Sequence, residues 1–110
     1  MHLIIREHTT GEVLADASRE QVIKEEGNWY VSPGAVSRDH LEVTHHEYIC
    51  PYKGRCLYVD ALVEGRRVPR VGWVYNDPKP EWKHIAGRFG FYGGSTAKRL
   101  GKTTEELSEE

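Results

Sequence analysis

The chain has 110 residues, 38% of them hydrophobic and 29% charged, which fits one globular domain and excludes long disordered segments. Lys and Arg number 15 against 17 Asp and Glu, so the net charge is −2. Because nucleic-acid-binding proteins usually carry a basic excess, nucleic acid is not expected as a partner.

Closely spaced turn signals predict many short strands in the first half of the chain rather than long helices. Residues 35–46 give a weaker pattern, in which Ser37 is placed to cap one helical turn at Arg38-Asp39-His40. The predicted strands are Leu3–Glu7, Glu12–Ala15, Val22–Glu25 and Asn28–Val31.

A hairpin is the clearest predicted element. Apolar residues alternate along Leu57–Val63, the turn lies at residues 64–67, and Val68–Tyr75 returns with Val71, Trp73 and Tyr75 on one face. Pro69 has no N–H to donate, so its part of the return strand should lie at an edge. Such an edge could also dock a strand of another protein.

After the hairpin, a stiff loop at Asn76–Pro80 precedes a possible helical turn at Glu81–His84 and a last long strand at Ile85–Tyr92. Residues 95–110 are acidic and are expected to form a frayed tail with a short helix capped by Thr103 or Thr104. The domain proper is therefore predicted to span residues 1–94. Its expected fold class is all-β, mainly antiparallel, with one or two short helical turns.

The expected cellular compartment is inferred from signal-peptide, membrane-spanning and disulfide patterns. Leu3-Ile4-Ile5 is too short for the core of a signal peptide, and no apolar run is long enough to cross a bilayer. The two cysteines do not form a disulfide framework. We therefore expect a cytoplasmic protein that does not bind membranes.

Residues Cys50–Gly54, with the sequence Cys-Pro-Tyr-Lys-Gly, are the densest concentration of reactive groups. Cys50 and Lys53 are close enough in a turn for the ammonium to favour the thiolate, the nucleophilic form of cysteine. Loops on rigid scaffolds often carry function. The competing interpretation is that Cys50 is a small buried apolar residue and Lys53 a solvated charge.

Metal and phosphate sites are not predicted. His45, His46, Cys50 and Cys56 do not have the paired spacing of structural zinc sites, so no metal or other cofactor is expected. Gly101-Lys102-Thr103 resembles the end of a phosphate-binding loop, but Thr96 stands where that motif requires its first glycine.

Aromatic residues in the segments around the Cys50 loop are the candidate ligand-binding residues: Tyr30, Tyr52, Tyr58, Trp73 and Tyr75. They could line a pocket for a flat or cationic ligand, or they could fill the core of a small β protein. Glu25, at the end of a predicted strand, is the carboxylate best placed to point inward. Cys50, Lys53 and Glu25 are therefore the catalytic candidates, with a surface position as the alternative for Glu25.

The order of these segments resembles the bacterial domain-of-unknown-function family 427, which is also filed under a nucleotidyltransferase-type label. The Cys-Pro-Tyr-Lys-Gly string followed by Trp-x-Tyr is its most specific part. The matching residues are Gly11–Asp16, Glu25, Tyr30–Pro33, Cys50–Gly54, Tyr58, Trp73–Tyr75, Pro78, Ile85–Gly87 and Phe91-Tyr92, which span residues 11–92.

The resemblance implies a two-sheet "β-tent" domain similar to Mss4-like proteins, methionine sulfoxide reductase B and the thalidomide-binding domain of cereblon. Those relatives hold a structural zinc through paired cysteines that this chain lacks, so the zinc is not expected here. Their pocket lies on a sheet face lined by aromatic residues. The chain departs from the family pattern at Cys56, where alanine is usual, and at Ala35, where an acid would stand.

Two functions remain open on the sequence alone. The first is a module that binds an unknown small molecule or peptide beside the Cys50–Gly54 loop, with Lys53 as a positive anchor. The second is a transferase-like enzyme that uses Cys50 or Lys53, with Glu25 and Tyr58 as helpers.

Overall fold

The structure is a computed structural model that describes residues 1–109. Two antiparallel sheets dominate it: a small sheet of order β2-β1-β9 and a six-stranded main sheet of order β3-β4-β8-β7-β6-β5. The strands are β1 (His2–Glu7), β2 (Val13–Ser18), β3 (Val22–Glu25), β4 (Asn28–Val31), β5 (Leu41–Cys50), β6 (Gly54–Val63), β7 (Arg66–Val74), β8 (Phe89–Phe91) and β9 (Thr103–Ser108). The predicted all-β, two-sheet fold class is confirmed.

Helical structure is confined to short pieces. One α-helix, α1 (Gly94–Leu100), precedes β9, and 3-10 turns occupy Arg19–Gln21, Pro33–Ala35, Arg38–His40 and Pro80–Ile85. The predicted turns at residues 38–40 and 81–84 are therefore confirmed. No helix among the described residues is long and apolar enough to span a bilayer.

Two strand predictions need correction. β5, which the sequence leaves as a weak region, runs from Leu41 to Cys50 as an edge strand whose side chains are mostly exposed, so it shows no apolar alternation. The strand predicted at Ile85–Tyr92 is shorter in the structure, where β8 covers only Phe89–Phe91. Gly87 adopts φ +72° and its N–H donates to the Tyr75 carbonyl, which turns the chain before the strand begins.

The prediction of a frayed acidic tail is wrong. Residues 103–108 form β9, which pairs with β1 along its whole length, and the helix precedes Thr103 instead of following it. Glu105 fastens this segment, because its Oε1 accepts hydrogen bonds from the Trp29 indole and the Gly94 N–H, both at 2.9 Å. Glu106, the other acidic residue of β9, is exposed.

The two faces of the main sheet are covered differently. One face packs on the small sheet and forms the main core, which includes Leu3, Ile5, Val31, Val59 and Phe91. The other face, called here the aromatic face, carries a second cluster of buried residues: Tyr30, Cys56, Trp73, Tyr75 and Ile85. Trp73 and Tyr75 share this face as predicted.

Strand register explains why these aromatic residues meet. Tyr30 lies opposite Gly90, Gly90 lies opposite Trp73, and Trp73 lies opposite Tyr58. Directly opposed residues point to the same side of a sheet, so the row crosses four adjacent strands on one face. A side chain at Gly90 would meet the Trp73 indole at 2.5 Å, so the glycine provides the space in which the indole lies.

Pro69 lies in the half of β7 that β8 does not reach, since their ladder covers only Gly72–Val74. This half has a free side, as a residue without an N–H requires. The register to β6 also shifts here, between Val59 and Ala61. Val71 follows this irregular stretch and packs in the main core, so the prediction that it shares a face with Trp73 is wrong.

Candidate functional site

The Cys50–Gly54 loop is the turn that joins β5 to β6. Cys50 pairs with Gly54, so the loop closes a hairpin at one end of the main sheet. A second loop fixes it in place: the Lys79 N–H donates to the Lys53 carbonyl at 2.8 Å, and Lys79 Nζ donates to the Pro51 carbonyl at 2.6 Å. Backbone carbonyls of the motif are therefore held by both the main chain and the side chain of Lys79.

Cys50 lies in surroundings that favour its thiolate. Burial would raise its pKa, but hydrogen bonds from the backbone N–H groups of Lys53 and Tyr52, the Lys53 charge and the Tyr75 hydroxyl outweigh burial and lower it. The residue is partly exposed. A sulfur atom that is stabilised as an anion and open to solvent has the two properties that a nucleophile needs.

Lys53 is not a solvated charge, so the competing interpretation of this residue is wrong. It is buried, its ammonium forms an ion pair with Glu26, and it lies 4.5 Å from the centre of the Trp82 ring. Burial would lower its pKa, but the hydrogen bond and charge of Glu26 raise it above its ordinary value. Because Glu26 already neutralises this ammonium, Lys53 is a weaker anchor for an anionic ligand than the sequence suggests.

Glu26 is the site residue that the sequence analysis missed. The predicted carboxylate, Glu25, lies 3.1 Å from His84 and does not form the ion pair with Lys53. Glu26 occupies the turn between β3 and β4 with φ +54°, so the strand pattern that pointed to Glu25 does not extend to it. The neighbouring Gly27 was the only signal that a turn begins there.

The predicted ligand-binding aromatic residues fall into two groups. Tyr30, Trp73 and Tyr75 are buried, and the Trp73 indole N–H donates to the Tyr30 hydroxyl at 3.1 Å. Tyr58 is only partly buried on the same face. Tyr52 is 75% exposed, so it lies at the hairpin tip and outside the cluster.

Tyr75 connects the two cysteines. It belongs with Cys56 to the buried cluster of the aromatic face, and Cys50 packs against that cluster. Burial and the nearby sulfurs raise the pKa of Tyr75 far above its ordinary value, so the hydroxyl keeps its proton and acts as a donor. Burial also raises the pKa of Cys56, which is 3% exposed.

Open space near this face occurs at Tyr58. A cleft of about 220 Å³ is lined by His46, Tyr58, Asp60, Pro69 and Arg70, and the Arg70 guanidinium lies 4.7 Å from the centre of the Tyr58 ring. Asp60 is buried and accepts hydrogen bonds from Arg67 and from the Arg70 N–H. None of five clefts found among residues 1–109 is lined by Cys50, Lys53 or Trp73.

The hairpin beside Cys50 presents apolar side chains to solvent. Tyr48, Ile49 and Tyr52 are large and exposed, and they flank the thiol along β5 and the loop. β5 is also an outer strand of the main sheet. Exposed apolar residues grouped at a free strand edge are typical of surfaces that bind a partner.

Metal ligands do not converge in the part of the chain that the structure describes. No three or more His, Cys, Asp or Glu side chains there are grouped closely enough to hold a metal ion. Cys50 and Cys56 approach each other because the hairpin turns between them, but no third ligand of these types joins them.

Comparisons with known proteins agree with this architecture. The model of the family described as "Domain of unknown function (DUF427)" matches residues 3–102. Among curated proteins, none matches the chain. Among solved structures, the crystal structure of the Mis18 "Yippee-like" domain is similar, with a TM-score of 0.70, 9% sequence identity and full coverage of both chains. At this identity the likeness concerns the fold alone.

Proposed function

The chain belongs to the DUF427 family of domains of unknown function. We propose that it is a binding module for a small molecule or peptide. The proposed site is the open rim of the aromatic face, from the Cys50 hairpin to the cleft at Tyr58. The observation that carries the proposal is that apolar side chains are exposed there, beside a rigid aromatic cluster.

The aromatic face combines buried residues with exposed ones, and this combination supports the proposal. The buried aromatic residues hold the surface in one shape, and Trp73 packs edge-on against both Tyr30 and Tyr92. The exposed and half-exposed residues Tyr48 and Tyr58 are then free to contact a ligand. A preorganised apolar surface loses little conformational entropy when it binds.

An extended peptide fits this rim better than a compact ligand. The cleft at Tyr58 is small, about 220 Å³, compared with roughly 300–1,000 Å³ for typical small-molecule sites. β5 adds an outer backbone edge along the same rim. A peptide can pair with such an edge and place single side chains in small clefts.

Titration of ¹⁵N-labelled protein with aromatic fragments and with a library of blocked tetrapeptides tests the proposal. We expect chemical-shift changes at residues 46–58 and 69–75. Tyr58→Ala should weaken the best peptide about tenfold, because an aromatic contact contributes roughly 1–1.5 kcal/mol. Cys50→Ser is the control and should bind normally. Changes confined to the separate cleft of about 400 Å³ beside His8 and Lys98 would contradict the proposal.

A second candidate function is a transferase-like enzyme in which Cys50 is the nucleophile. The hydrogen bonds and the Lys53 charge that favour the Cys50 thiolate support it. Glu25 stays a predicted participant, with Glu26 as the carboxylate nearer the ammonium. The two functions differ in one requirement, because the enzyme needs the Cys50 sulfur and the binding module does not.

A further inference from the structure

Cys50 and Cys56 lie near each other on the aromatic face, although a turn separates them in sequence. Cys50 pairs with Gly54 and Tyr48 pairs with Cys56, so the two cysteines are diagonal neighbours on adjacent strands. Tyr75 and Cys56 belong to the buried cluster of this face, and Cys50 packs against it. The three side chains therefore form one cluster of two thiols and a phenol.

The two thiols have different surroundings. Cys50 is partly exposed at the hairpin end. Cys56 is only 3% exposed, on the inner strand β6. One sulfur can meet a reactant from solvent, while the other can be reached only from the protein side.

We propose that Cys50 and Cys56 form a redox-active dithiol that reduces a hydroperoxide and closes to an intrachain disulfide. The inference goes beyond the binding function and does not depend on it. Its reactant is a small hydroperoxide, because only the hairpin end of the cluster is open.

The proposed reaction has two balanced steps. The Cys50 thiolate attacks one peroxide oxygen, the S–O bond forms as the O–O bond breaks, and the departing alkoxide or hydroxide takes a proton from water. Cys50 is then a sulfenic acid. The Cys56 sulfur attacks the Cys50 sulfur, the S–S bond forms, and the hydroxyl leaves as water with the Cys56 proton. Two electrons pass from the thiols to the peroxide.

Closing the disulfide requires a small movement of the hairpin. Diagonal neighbours on paired strands have Cα atoms about 7–8 Å apart, and a disulfide brings Cα atoms to about 5.5–6 Å. β5 can supply this movement because it pairs on one side only and its register shifts between Val43 and Glu47. Cys56, on an inner strand, stays in place.

Mass spectrometry of the reduced protein after one equivalent of hydrogen peroxide tests the inference. Trypsin cuts after Lys53 and Arg55, so the two cysteines fall on separate peptides. We expect the intact protein to lose two hydrogen atoms, to accept no iodoacetamide after denaturation, and to yield peptides 39–53 and 56–66 joined by a disulfide. The same treatment in urea is the control and should join them more slowly.

Substitution of each cysteine shows which step of the reaction that cysteine carries out. Cys56→Ser should leave Cys50 as a sulfenic acid that dimedone traps once per chain, and Cys50→Ser should consume no peroxide. An unreactive Cys50, or a joined pair that forms as fast in urea, would overturn the inference. Peptide binding measured with Cys50→Ser tests the binding proposal separately, because this variant cannot carry out the redox reaction and is still expected to bind peptide.

Discussion

Gly72→Ala is expected to destabilise the fold severely. A Cβ atom at this position of β7 would lie 2.2 Å from the Gly90 carbonyl oxygen on the neighbouring strand. Both groups belong to backbone inside the main sheet, so no side-chain rotation relieves the overlap. The strands must separate, and we expect a loss above about 4 kcal/mol in the free energy of unfolding. Urea denaturation followed by circular dichroism measures it.

Gly34→Ala is the matched control for this change. Gly34 lies in the short turn at Pro33–Ala35, and an added Cβ would have no atom within 4 Å. Its denaturation curve should match that of the parent chain within about 0.5 kcal/mol. A Gly72→Ala protein as stable as Gly34→Ala would show that β7 and β8 do not pair in the described register.

Trp73→Ala is expected to destabilise the fold by about 3–5 kcal/mol, the usual cost of deleting a large buried aromatic side chain. Trp73 is 8% exposed, its ring centre lies 4.8 Å from that of Tyr92, and its indole N–H donates to Tyr30. The substitution removes these contacts and leaves a cavity over Gly90. The same denaturation experiment measures the loss.

Tyr52→Ala provides the comparison, because Tyr52 belongs to the same group of predicted ligand-binding residues but is 75% exposed. It should change the free energy of unfolding by less than about 0.5 kcal/mol. Equal effects at both positions would mean that Trp73 is not part of the buried cluster. A large cost at Trp73 also means that loss of ligand binding in Trp73→Ala cannot be read as a lost contact, which is why Tyr58 is the better test residue.

Local patterns predicted much of the fold. Tyr30, Trp73 and Tyr75 follow the two-residue period of strands, and β3 and β4 have the predicted bounds. β5 was not predicted because an edge strand needs no apolar alternation. β9 was not predicted because it pairs with β1, at the other end of the chain, and no local sequence pattern indicates such a pairing.

The candidate site was predicted in part for the same reason. The Cys50–Lys53 spacing reported a local contact, and the structure retains it. Glu26 meets Lys53, and Tyr75 meets both cysteines, only because separate strands bring them together. Cys56 looked like a departure from a family pattern, and its position opposite Tyr48 gives it a neighbouring thiol. Contacts between distant segments require the strand order, which the sequence alone did not supply.

We expect the rim of the aromatic face to carry a reactive thiol, a property that a second core alone would not have. The pH dependence of iodoacetamide labelling in the native protein measures this reactivity, and tryptic peptides report each cysteine separately. Since the Cys50 pKa is lowered, its labelling should reach half its maximum at a lower pH than the labelling of Cys50 in the urea-unfolded protein. Lys53→Met should move that midpoint upward, because it removes the ammonium beside the sulfur.

Cys56 is the internal control in this measurement, because burial protects it and raises its pKa. We expect Cys50 to be labelled at neutral pH while Cys56 stays unlabelled until the protein unfolds. A Cys50 that resists labelling in the folded protein, or that reacts with a midpoint at or above that of the unfolded protein, would show that the rim carries no reactive thiol.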